Sequence, residues 1–207
     1  MPEAFKVLAY HDALTLKIAL DAPARARLLG FIRERFHLCF GAEVEDDSPT
    51  LVGGFDRDGV LVAGFGLRDS SSGFFCEHYL GEPLETALSR RFVHPVTRGE
   101  AVEVTHLCAT GFGMLAQLSP LLAPALIDMG FRYLACTATG RLACFFERKG
   151  LHPVTLAEAG IEAIPQETRS AWGRYYAARP RVLAGDLQRA NAALRASACA
   201  GDRTDAR

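Results

Sequence analysis

The chain of 207 residues has almost no surplus of either charge: 23 Lys and Arg stand against 24 Asp and Glu, a formal net charge of -1. No overall field draws such a surface to nucleic acid or to an anionic bilayer, so no nucleic-acid role is expected and a charged partner must be met by a local patch. Paired cysteines are missing as well. Cys39, Cys76, Cys108, Cys136, Cys144 and Cys199 form no CxxC and no close Cys/His cluster, so neither a metal site nor a disulfide framework is expected. Most of them stand among apolar neighbours, where a thiol packs as a small hydrophobe. No apolar leader opens the chain either, because Glu3, Lys6, Asp12 and Lys17 interrupt it. With reduced thiols, that places the protein in the cytoplasm as an expectation.

One stretch, residues 104–127, contains no Asp, Glu, Lys or Arg and has roughly the length of a membrane span. His106, Gly111, Gly113, Gln117, Pro120 and Pro124 fall inside it and raise the cost of insertion, so a transmembrane helix is not expected.

With 49% apolar and 23% charged residues, a chain of this length buries one sizeable core, and no internal repeat or linker divides it. Residues 14–20 read as a strand. Asp21 and Pro23 then open a helix to about Phe40, whose apolar positions Leu28, Leu29, Ile32, Phe36 and Cys39 recur at steps of three and four, and Gly41 ends it. Two apolar runs, 51–55 and 60–67, flank Asp56-Arg57-Asp58-Gly59 and predict an antiparallel hairpin. A helix is expected over 83–91. Residues 101–108 alternate as a strand that runs into the turn Gly111-Phe112-Gly113. A helical segment follows to Gly130, with Pro120 and Pro124 against its continuity and Ser119 available as a cap for a second start. Residues 131–138 predict another strand and 141–149 a helix closed by Gly150. A last helix is expected over 182–197, with a disordered end at 201–207. Strands alternating with helices predict an α/β protein, with one domain over 1–187 and a helical to disordered tail over 188–207.

Chemistry-bearing residues gather around the 101–108 strand. Gly111 and Gly113 let the backbone approach a ligand, and the free amides of a helix start attract phosphate, so Cys108 to Gly113 reads as a phosphate cradle or as a plain structural turn. Glu103 can accept a proton from an attacking amine. His106 alternates onto the opposite face, and a bulge is needed to bring it to Glu103. Arg68 reads as a clamp for a carboxylate or as part of a structural ion pair, and Glu77 is split in the same way. Trp172 and Tyr175, with Tyr176, are spaced as a packing face or as the lining of a substrate cavity.

Cys108-Ala109-Thr110-Gly111-Phe112-Gly113 resembles the Q/R-x-x-G-x-G/A turn with which GNAT enzymes hold coenzyme A or phosphopantetheine, with Cys108 in place of the first Gln or Arg. Phe146 stands where many of those enzymes carry a tyrosine acid, and a phenyl ring donates no proton. Over most of the chain, the residues Arg33 to Phe36, Gly66-Leu67-Arg68, Glu77-His78-Tyr79-Leu80 and Val102-Glu103-Val104 resemble the thermostable hemolysin family. So does Trp172-Gly173-x-Tyr175-Tyr176. That family is in turn similar to the acyl-homoserine-lactone (autoinducer) synthases, where an arginine occupies the position of His106.

The resemblance implies a GNAT-like mixed sheet flanked by helices and an acyltransferase moving an acyl group from acyl-CoA or an acyl carrier protein to a small amine acceptor. It implies Glu103 and His106 in the chemistry, Arg68, Glu77, Trp172 and Tyr175 at the substrate, and Cys108, Gly111, Phe112 and Gly113 at the phosphates. Arg90, Arg91, Arg98, Arg141, Arg148 and Lys149 offer a basic patch for an acidic carrier protein. Two other readings stay open: a membrane-active hemolysin, making bilayer contact through exposed apolar surface, and a catalytically silent acyl- or CoA-binding module.

Overall fold

The computed structural model describes residues 3–11, 13–45 and 47–201, side chains 198–201 excepted. Eight strands form one mixed sheet. In chain order they are β1 (Phe5–His11), β2 (Leu14–Ala19), β3 (Thr50–Phe55), β4 (Leu61–Arg68), β5 (Ala101–Ala109), β6 (Tyr133–Ala138), β7 (Val154–Glu158) and β8 (Arg181–Asp186). Their order across the sheet is β1-β2-β3-β4-β5-β6-β8-β7. The helices are α1 (Ala22–Phe40), α2 (Glu77–Leu80), α3 (Leu84–Phe92), α4 (Phe112–Asp128), α5 (Gly140–Arg148) and α6 (Leu187–Gly201). This is the expected single-domain α/β fold, a mixed sheet covered by helices.

Local chemistry sets most boundaries. Asp21 caps α1 by accepting the Ala24 amide at 2.8 Å, and Gly41 ends it in the left-handed region at φ 65. In the β3–β4 hairpin Asp56 Oδ1 accepts the amides of Asp58 and Val60 at 3.0 and 2.8 Å, an Asx-type closure of the turn. Helix α1 packs on one face of the sheet through Leu28, Leu29, Ile32 and Phe36, while α4, α5 and α6 cover the other.

Three readings need correction. Helix α4 runs unbroken through Pro120 and Pro124. Each proline removes one ladder bond, but burial of Leu115, Leu118, Leu121 and Leu126, at about 1.5–3 kcal/mol per side chain, outweighs that loss. Its cap is Gly111 rather than Ser119, whose hydroxyl donates back to Leu115 O at 2.8 Å. Residues 181–186 are a strand paired with both β6 and β7, and the last helix begins only at Leu187. It lies against α4; residues 202–207, part of the expected disordered end, fall outside the described residues. Among the described residues no helix is long and apolar enough to cross a membrane.

Candidate active site

Strands β5 and β6 are the parallel pair of the sheet, and they part company halfway. Their pairing covers Ala101↔Tyr133 to Val104↔Cys136. Beyond it β5 stays with β4 as far as Ala109, and β6 stays with β8 as far as Ala138. The wedge between them opens into a cavity of about 650 Å³ lined by Glu103 through Ala109 on one side and by Cys136 and Thr137 on the other. Both strands feed a helix whose start faces the wedge, the arrangement in which parallel α/β sheets bind ligands at strand C-termini.

A bulge sits at the mouth of the wedge. Between Gly64↔Cys108 and Gly66↔Thr105, β4 advances two residues and β5 three; the extra residue falls at His106, which adopts φ 52. The left-handed conformation costs about 1–2 kcal/mol in a residue with a Cβ. Its effect is to turn His106 onto the face of Glu103, where its ring stacks on Trp172 at 5.9 Å and 15° and meets Phe36 edge-on at 5.5 Å. Simple alternation would keep the two apart.

Glu103 is 1% exposed. Its carboxylate accepts the amides of Phe75 at 2.6 Å and Cys76 at 3.0 Å, which clasps the 75–76 segment over the sheet. Burial pushes its pKa up to about 7, against the opposing pull of those two amides, of Arg68 and of the Cys76 thiol. Burial likewise holds the His106 imidazole below the usual histidine range, with Asp47 opposing and Arg68 assisting. Neither ring nitrogen of His106 has a hydrogen bond among the described residues, and Nδ1 lies 4.0 Å from Asp47 Oδ1. Burial thus disfavours the charged form of both groups, an imidazole and a carboxyl on one cavity wall.

The other expected site residues separate into two groups. Trp172, Tyr175, Cys108, Gly111 and Phe112 line the same cavity. Gly113 follows in the first turn of α4, and a Cβ at Gly111 or Gly113 would meet nothing within 4 Å, so both α-carbons border open space. Arg68 and Glu77 stay outside. The Arg68 guanidinium donates to the carbonyls of Gly73, Asp47 and Ser72 at 3.0, 2.6 and 3.1 Å and pairs with the Asp47 carboxylate at 3.6 Å, the structural ion pair of the two sequence readings. Glu77 accepts from Arg98 at 2.5 and 2.9 Å and from the Leu84 amide at 2.8 Å. In the basic patch, Arg98 is committed to Glu77 and Glu85 and Arg90 to Glu82.

Several lining residues go beyond the sequence expectation: Arg35, Phe40, Asp47, Phe75, Tyr79 and the Thr139-Gly140-Arg141 start of α5. The sequence does carry a signal for the last group, because Ala109-Thr110-Gly111 at the end of β5 recurs as Ala138-Thr139-Gly140 at the end of β6. Two helix starts with unsatisfied amides therefore flank the wedge. Arg35 reaches the Thr110 carbonyl at 3.5 Å and keeps a buried Nε without a partner among the described residues, while Arg141 lies 5.4 Å over the Phe112 ring. That end of the cavity is cationic. Its amides and guanidinium groups suit a phosphate ester, and the adjoining apolar wedge suits the arm of a pantetheine thioester.

A sheet split between two parallel strands over a glycine turn is the architecture of the acyltransferase-type GNAT fold. The solved structures agree. FeeM, an N-acyl amino acid synthase from uncultured soil microbes, superposes with a TM-score of 0.58 at 13% identity, covering 84% of this chain and 90% of that one. The AHL synthase LasI gives 0.55 at 12% identity, with 84% and 90% covered. An N-acetyltransferase from Staphylococcus aureus Mu50 gives 0.52 at 12% identity, with 85% and 99% covered. The profile of the thermostable hemolysin family matches residues 18–191, and the chain belongs to that family. No curated protein matches the sequence.

Proposed function

We propose that the protein is an N-acyltransferase that takes an acyl group from the thioester of coenzyme A or of a carrier protein's phosphopantetheine and passes it to an amine. The observation that carries this reading is the wedge between β5 and β6, which joins a cationic glycine turn to His106 and Glu103 in one cavity. The similar folds include enzymes named for joining acyl groups to nitrogen, which supports the reading.

Arg35, Arg141 and the first amides of α4 would hold the donor's phosphate. The edge of β5 beyond Val104, which has lost its β6 partner, would polarise the thioester carbonyl through its N–H groups. His106 is placed to take the ammonium proton, since burial favours its neutral form, it faces the cavity and it has both nitrogens free of hydrogen bonds among the described residues. Glu103, whose oxygens already hold two amides, orients the acceptor and stabilises the cation formed. As the carbon–nitrogen bond forms and the carbon–sulfur bond breaks, His106 returns that first proton to the departing thiolate and then takes the second proton, which the acylated nitrogen must lose to become an amide, and releases it to solvent. Phe146 packs against the core and takes no part.

The test is thiol release from acyl-CoA and acyl-carrier donors, with mass spectrometry of the acylated product. Amine-dependent release that falls about 100-fold or more in His106→Gln, the usual scale for removing a general base, supports the reading. Lysis of liposomes by the purified protein, with no release from either donor, overturns it in favour of the membrane-active alternative.

A further inference from the structure

The cavity is divided by charge. Its cationic groups, Arg35 and Arg141, sit at the glycine turn through their contacts with Thr110 and Phe112. The opposite end is walled by aromatic rings. Trp172 lies 5.3 Å from Tyr175 and 6.2 Å from Phe75, and Phe36 lies 6.1 Å from Tyr175. Among the described residues, the carboxyls lining that end are those of Asp47 and Glu103, beside the ring of His106. Arg68 does not line the cavity: its three nitrogens are bonded to loop carbonyls, and from behind it pairs with Asp47 Oδ2 at 3.6 Å, leaving Asp47 Oδ1 towards His106.

We infer that the acceptor is an arylalkyl monoamine without a carboxylate, held by its ammonium between Asp47, Glu103 and the Trp172 face and by its ring in the Phe36–Phe75–Tyr175 box. This rests on the acyl-transfer reading for its chemistry, though not for its binding. A cation over an indole face is attracted by the ring quadrupole, and the two carboxyls add to that attraction. An α-amino acid of the same side chain would bring its own carboxylate against Asp47 and Glu103, with no cation lining that end among the described residues to receive it, a like-charge placement that specificity uses for rejection.

Trp172 is the single tryptophan of the chain, so its fluorescence reports this end of the cavity without any acyl donor. The wild-type protein would be titrated with phenethylamine, phenylalanine and n-hexylamine, and the same three would then be compared as acceptors in the thiol-release assay. Phenethylamine should quench Trp172 and bind at least tenfold more tightly than either of the others. Asp47→Asn should weaken its binding about tenfold while leaving phenylalanine unchanged or improved. Phenylalanine binding as tightly as phenethylamine overturns the assignment even where thiol is released, and hexylamine doing so overturns the aromatic part. Selective phenethylamine binding with no thiol release from any donor upholds the amine site and overturns the acyl-transfer reading instead.

Discussion

Glu103 ties folding to pH in a direction opposite to most carboxylates. Burial raises its pKa from 4.5 to about 7, so between those values the folded protein binds more protons than the unfolded chain. Stability then falls as pH rises: the contribution of Glu103 is fully present below pH 4.5 and is lost as pH passes through about 7. At about 1.4 kcal/mol per pH unit the loss amounts to roughly 3 kcal/mol. Glu103→Gln removes the titration. It also points an NH2 at the Phe75 or Cys76 amide, leaving a buried donor without an acceptor at a cost of about 1–3 kcal/mol. The variant should therefore be clearly less stable than wild type near pH 4.5, with the gap closing by roughly 3 kcal/mol towards pH 8. His106 is retained in both proteins, so its own titration cancels in the difference. Urea denaturation at several pH values, compared at a common m, measures the gap. A gap that stays constant, or widens with pH, would mean that Glu103 is ionised throughout and that the two amides outweigh its burial.

Two further substitutions probe the same neighbourhood. A Cβ at Gly66 would stand 2.3 Å from Ser48 Oγ and 2.4 Å from Thr105 Oγ1, whose buried hydrogen bond is 2.7 Å long. Gly66→Ala must break that bond or shift the strand, and a loss of about 1–3 kcal/mol in thermal unfolding is expected. Arg35→Met should weaken the donor's apparent affinity about tenfold, the scale of one charge-assisted phosphate contact, with stability unchanged or slightly raised because its buried Nε has no partner to lose among the described residues. A rise in KM without a fall in stability confirms it; a normal KM refutes a donor contact.

What can be read from the sequence is what local chemistry decides. Asp21, Gly41 and the Asp56–Gly59 turn act within a few residues of themselves, so α1 and the β3–β4 hairpin are legible in the amino-acid order alone. Strand β8 is not, because Val182 to Asp186 passes directly into the Ala- and Leu-rich Leu187 helix, and only pairing with β6 and β7 separates the two. The same limit governs the site. Glu103 and the glycine turn are visible as residue types on a strand and at its end, and the need for a bulge at His106 follows from alternation as a condition. That the condition is met depends on Gly64 and Gly66 of β4, some forty residues upstream in chain order. Phe36 and Phe40 have the spacing of core residues, and they become cavity wall only because β5 and β6 diverge beneath them. The divergence itself has a trace in the sequence. The tripeptide Ala-Thr-Gly begins on the last residue of both β5 and β6, and two strands that each end in a glycine-led helix start cannot keep pairing to their tips while both helices pack on one face of the sheet.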